Sequence, residues 1–182
     1  MSAARDNLDL STASQTQVEE VELEKISTAL IGAAGEHLVL SRLLAKGALA
    51  AQAPRGVKKA DILVNFLDGG EPSLIQVKAS RFGPVNGWHM SEKHESIQDD
   101  DLYYCFVDFS ISHPNVYVIP ASIVSKVLKR DHETWLATPG RKGQQHNDSS
   151  MRRLRSVSYG EKEGWLESYL ERWDLVLKDK KF

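Results

Sequence analysis

The chain has 182 residues and a single cysteine, Cys105. An intramolecular disulfide needs two, so no covalent staple holds the fold, and the composition fits a reducing cytoplasm. Cys105 lies in the apolar run LYYCFVDF, where a thiol packs as a small hydrophobe rather than acting as a nucleophile. No apolar run approaches the roughly 20 residues that a membrane-spanning helix needs, so no membrane partner is expected. The N-terminal stretch MSAARDNLDLSTAS lacks the basic patch and apolar run of a secretory signal. A large charge of one sign is missing too: the formal balance is −2, which argues against a generic nucleic-acid coat.

What is present is enough hydrophobic matter, 41% of residues, for one globular domain with a real core. The charge is unevenly placed. Residues 1–27 carry two bases against six acids, a net −4, and residues 138–160 carry five bases against Asp148, a net +4. That late basic segment is either a solvated loop or a surface for phosphates. Residues 1 to about 24, polar and acidic, read as a mobile arm, and residues 25–182 as one domain.

Apolar residues at spacings of three and four predict a first helix with the stripe Ile26, Ala29, Leu30, Ala33, His37, Leu40, Leu43 and Leu44. Ser27 or Thr28 starts it and Gly47 stops it. A short extended segment, 48–53, follows. ADILVNFL (60–67) and SLIQVKAS (73–80) read as two strands joined by the hairpin signal Asp68-Gly69-Gly70. LYYCFVDF (102–109) and NVYVIPA (115–121) read as interior strands. Ser122 reads as the N-cap of a helix with Ile123, Val124, Val127 and Leu128 as its stripe. Trp165, Leu166, Tyr169, Leu170, Trp173 and Leu177 predict a last amphipathic helix. The order gives an α/β or α+β fold around a mixed sheet flanked by helices.

Strand geometry then brings chemistry together. Residues two apart share a face, so Ile75, Val77 and Ala79 suit the core while Gln76 and Lys78 point the other way. A hairpin brings Asp61 back beside Gln76 and Lys78. Glu36 shares the helix spacing of Gly32, Ala33, Leu40 and Leu43, which aims a carboxylate toward the sheet. A buried carboxylate is costly unless it is paired or binds metal. Mg²⁺ prefers oxygen ligands and needs only one or two carboxylates. Each residue also has a plainer reading: Asp61 as a turn cap, Gln76 and Lys78 as the wet face of an edge strand, Glu36 as the partner of Arg42, Lys46 or Lys78. Trp88 and His89 either meet a substrate or close the core, and Trp135, Trp165 and Trp173 read as packing residues. His146 and Asp148 fall short of a zinc site.

The stretches GAAGEHLVLSRLLAKGALA, KKADILVNF and SLIQVKAS, in that order, resemble the PD-(D/E)XK nuclease superfamily, whose fold is restriction-endonuclease-like. The later stretches DLYYCFVDF, NVYVIPASIV, HETWLATPGRKGQQHNDSSMRRL and YLERWDLVL resemble one group of small bacterial proteins within it, so the resemblance runs from about residue 31 to 178. It implies Asp61 as the first acid, Lys78 as the lysine and Glu36 as the helical glutamate. Gln76 takes the place of the second acid, a Q-x-K variant. The resemblance further implies Mg²⁺ (or Mn²⁺) held by Asp61, Gln76 and Glu36. DNA is then the substrate, with RNA left open, and a homodimer acts in restriction, defence or repair. Arg141, Lys142, Arg152, Arg153 and Trp88 are the expected nucleic-acid contacts. The alternative is a binding or interaction module that kept the fold and lost catalysis.

Overall fold

The computed structural model describes residues 26–54, 56, 59–65 and 71–178. The expected mobile arm and the expected Asp68-Gly69-Gly70 turn lie outside them. Helix α1 (Thr28–Ala45) starts at Ser27, whose side chain accepts from the Leu30 N–H, and ends ahead of Gly47. Strands β1 (Leu49–Gln52), β2 (Ile62–Asn65) and β3 (Ser73–Ser80) follow. After one helical turn, α2 (Gly83–Asn86), come β4 (Trp88–Ser91) and a 3-10 turn, Glu92–Ser96. Then come β5 (Leu102–Asp108), β6 (Asn115–Pro120), α3 (Ala121–Ala137) and β7 (Met151–Leu154). A 3-10 turn (Leu166–Tyr169) and α4 (Trp173–Leu177) close the order.

The central sheet has the order β1-β2-β3-β5-β6. β3 and β5 run parallel and the other neighbours antiparallel, so the sheet is mixed. Alternation along β3 and β5 splits the core in two. Ile75, Val77, Cys105 and Val107 face α1 and α4 with Val39, Leu43, Trp173 and Val176. Tyr104 and Phe106 face the other way, toward α3 and the two-stranded β4-β7 sheet, with Trp88, Leu128, Leu154 and Trp165. Every residue of β5 is buried, as its unbroken apolar run requires, and Cys105 is one of them. Among the described residues no helix is long and apolar enough to cross a membrane.

Four local expectations are corrected. The helix stripe is rotated: Gly35, Val39 and Leu43 are the buried residues of α1, while Leu30 is 64% exposed. The cause is close contact: a Cβ on Gly35 would lie 2.8 Å from the Ala79 Cβ, so α1 meets β3 at a position without a side chain. Helix α3 begins one residue before Ser122, with Pro120 extended at the cap position. Arg152 and Arg153 lie in β7, a strand, rather than in a loop. The last helix is broken, because Glu171 adopts a φ of 53° and Leu170 bridges Tyr117 of β6. That Glu171 carboxylate accepts from the Val116 N–H (3.1 Å) and from Trp173 Nε1 (2.7 Å), and it pairs with Arg42. These partners fix the turn and cover the β6 edge of the sheet.

Candidate functional site

The hairpin pairing sets Ile62 against Ile75, so Asp61, one residue ahead of β2, falls beside Gln76. Its backbone N–H donates to the Ile75 carbonyl (2.8 Å), and its Oδ2 accepts from the Val77 N–H (2.7 Å). Asp61 thus grips β3 on both sides of Gln76. Its carboxylate is spent on the neighbouring strand rather than on a turn of its own. β3 is an interior strand with β2 and β5 beside it, so Gln76 and Lys78 do not lie on an edge. Both are half-buried.

Glu36 is half-buried on α1, the residue after the contact glycine. Burial raises its pKa, the Asp61 charge raises it further, and His37 opposes the shift. Arg42, one of its expected structural partners, is instead spent on Glu171 and on the Pro114 carbonyl (2.5 Å). Lys78 has a lowered pKa, chiefly from burial and also from Lys93, while Asp61 pulls the other way. The charge of Asp61 therefore reaches both Glu36 and Lys78.

Tyr104 was not foreseen as part of this cluster, because in the sequence it is one aromatic within an apolar run. It pairs in register with Gln76 and is 1% exposed. Among the described residues its hydroxyl has no hydrogen-bond partner. Burial and then Asp61 push its pKa up, so the hydroxyl stays protonated. The His94 ring lies edge-on to it with centroids 5.9 Å apart. His94 has its pKa lowered by burial, against a hydrogen bond from its ring to the Ser91 carbonyl, with Lys78 and Lys93 adding to the drop. The pairing sets a carboxylate (Asp61), a carboxamide (Gln76) and a hydroxyl (Tyr104) side by side across three strands, and the Asp61 charge acts on Glu36; oxygen donors of this kind suit a hard cation. Among the described residues no group of three or more His, Cys, Asp or Glu is placed to hold a metal.

Lys78 also lines a cavity of about 570 Å³ between the start of α1, the end of β3 and β4. Arg81, Phe82, Trp88, His89 and Arg153 line it too. Glu36, Asp61 and Gln76 do not. Of the expected nucleic-acid contacts, Arg153 is exposed in this cavity, with Nη2 3.5 Å from His89 Nε2. Arg141 and Lys142 are exposed but lie outside the cavity. Arg152 is 7% exposed and spent on Glu95 and on the Met151 and Ser149 carbonyls, so it does not present itself to a phosphate. Trp88 closes the core: it is 1% exposed, packs 5.2 Å from the Phe106 ring centroid, and donates from Nε1 to the Val107 carbonyl. Trp165 and Trp173 are buried as expected. Trp135 stacks between His132 and His146, while Asp148 bonds His132 at 2.8 Å.

The fold is therefore of the α/β class, with a central mixed sheet flanked by helices. No known protein-family profile matches the chain, and no curated protein matches it by sequence. Among solved structures it is similar to a bacterial homing endonuclease, with 15% identity and a TM-score of 0.50. The match covers 84% of this chain and 92% of that one, and at this identity the likeness is one of fold.

Proposed function

We propose that this chain is a divalent-cation-dependent nuclease that hydrolyses phosphodiester bonds in DNA, with a Q-x-K form of the PD-(D/E)XK site. The observation that carries the reading is Asp61, which grips β3 on either side of Gln76 while its charge reaches Glu36 and Lys78. Glu36, Asp61 and the Gln76 carboxamide oxygen would hold Mg²⁺ or Mn²⁺. When bound, such an ion supplies Lewis acidity toward a phosphate oxygen and acidifies a water. Lys78 donates hydrogen bonds to phosphate oxygens where charge builds up. Its lowered pKa also lets it exchange a proton nearer neutral pH than an exposed lysine can. Tyr104 offers an O–H donor on the same strand face. The fold likeness to a homing endonuclease supports this reading.

A second reading, binding without cleavage, is favoured by Gln76 alone, since a carboxamide lacks the charge of the superfamily's second acid. The two separate in a nicking assay on supercoiled plasmid, with Mg²⁺ or Mn²⁺ against EDTA. Wild type nicks with metal and not in EDTA, and Lys78→Ala loses about 10²–10³-fold in rate, the usual cost of one preorganised charge-stabilising donor. Equal trace activity in both proteins overturns the catalytic reading.

A further inference from the structure

We infer that the cavity beside Lys78 is a pocket for one unpaired nucleotide, so that the substrate is DNA with an extrahelical or single-stranded base. The inference rests on the nuclease reading and deepens it. Among the described residues the lining holds four basic side chains, Lys78, Arg81, His89 and Arg153, and no carboxylate. That charge suits a phosphodiester. Phe82 is 65% exposed at this cavity, and the Arg81 guanidinium lies over its ring, 5.4 Å from the centroid. A lone exposed phenylalanine is ordinary. One that stands in a basic cavity shared with Lys78, and already carries a planar cation on its face, is a stacking platform.

Size and stacking decide which form of nucleic acid fits. A cavity of about 570 Å³ is of the class that encloses a small molecule rather than a duplex. A paired base inside a helix is covered on both faces by its neighbours, so only an unstacked base can reach Phe82. Its flanking phosphates then meet Arg81, Arg153 and Lys78, the last being the lining residue that the Asp61 charge reaches.

The test is fluorescence anisotropy in EDTA, where no cleavage occurs, with three labelled probes: a 20-base-pair duplex, the same duplex with one bulged adenosine, and a 20-nucleotide single strand. Wild type binds the bulged and single-stranded probes about tenfold more tightly than the paired duplex. Phe82→Ala erases that preference and leaves the paired duplex within about twofold. Arg153→Ala weakens all three probes together and flattens their salt dependence. Equal wild-type binding of all three probes, or a preference that survives Phe82→Ala, overturns the pocket and leaves the nuclease reading standing. Failure to bind any probe, together with no plasmid nicking, overturns both.

Discussion

Gln76→Glu changes one charge and almost nothing else. The side chain keeps its length, and the new carboxylate enters between Asp61 and Tyr104, with Lys78 two residues along β3 and Glu36 within reach of the Asp61 charge. A unit charge pair at about 4 Å is worth roughly 4 kcal/mol at an effective dielectric near 20. Here two repulsions oppose one attraction at a half-exposed position, and screening reduces the net penalty in the metal-free protein to about 1 kcal/mol. A carboxyl disfavoured when charged has a folded pKa above its unfolded value of about 4.3. The penalty is thus absent below about pH 4 and develops as pH rises through the folded pKa. Metal-free Gln76→Glu should melt about 2–4 °C below wild type at pH 7 and level with it at pH 4, measured by calorimetry. Mg²⁺ should reverse the sign, because the added charge now faces a dication. Titration calorimetry should show binding about 10–100-fold tighter than wild type, which corresponds to roughly 1.4–2.8 kcal/mol. Unchanged melting at pH 7 together with unchanged Mg²⁺ affinity would refute the idea that residue 76 shares a cation site with Asp61.

Glu36→Gln removes a carboxylate whose pKa is raised by burial and by Asp61, so it should raise the metal-free melting temperature at pH 7 but not at pH 4, while plasmid nicking falls at least about 10²-fold. A variant that melts like wild type at pH 7 speaks against that carboxylate being held at a cost. Gly87→Ala places a Cβ 2.0 Å from the Leu154 carbonyl oxygen at a φ of 71°. It should lose about 1–3 kcal/mol or more in chemical denaturation, by prising β4 from β7. Deleting residues 1–25, which carry six acids against two bases just ahead of Ile26 on the cavity lining, should tighten DNA binding about 3–10-fold at ~50 mM salt. The gain should fade by ~300 mM, as a screened repulsion must; a gain independent of salt would point to some other cause.

The parts of the fold that were legible in the sequence are those set by local pattern. β3, β5 and β6 follow from alternation or unbroken apolar runs, and their register carries Gln76, Lys78 and Asp61 together as strand geometry expects. The buried face of α1 was not legible, because Leu30, Leu38, Val39, Leu40, Leu43 and Leu44 leave the helix apolar on several sides. Its orientation is chosen by the contact between Gly35 and Ala79, a tertiary fact. The β4-β7 pair joins Trp88 to Leu154 across a long stretch of chain, so neither strand declares itself locally. Arg152 read as a free cation until Glu95, distant in sequence, was seen to bury it. Likewise, no pattern in LYYCFVDF says that one hydroxyl will be enclosed without a partner among the described residues.

Gly35 sets more than the orientation of a helix. The next residue along α1 is Glu36, so the spacing between helix backbone and β3 also fixes how near that carboxylate comes to Asp61. On the proposed reading, one absent methyl group acts as a calliper for the ion. Mg²⁺ demands oxygen ligands at 2.0–2.1 Å, whereas Ca²⁺ takes them at 2.3–2.6 Å. A larger side chain at Gly35 would lift α1 and open the donor set toward the larger ion. Metal selectivity would then be a property of helix packing, held by a residue that bears no chemistry of its own.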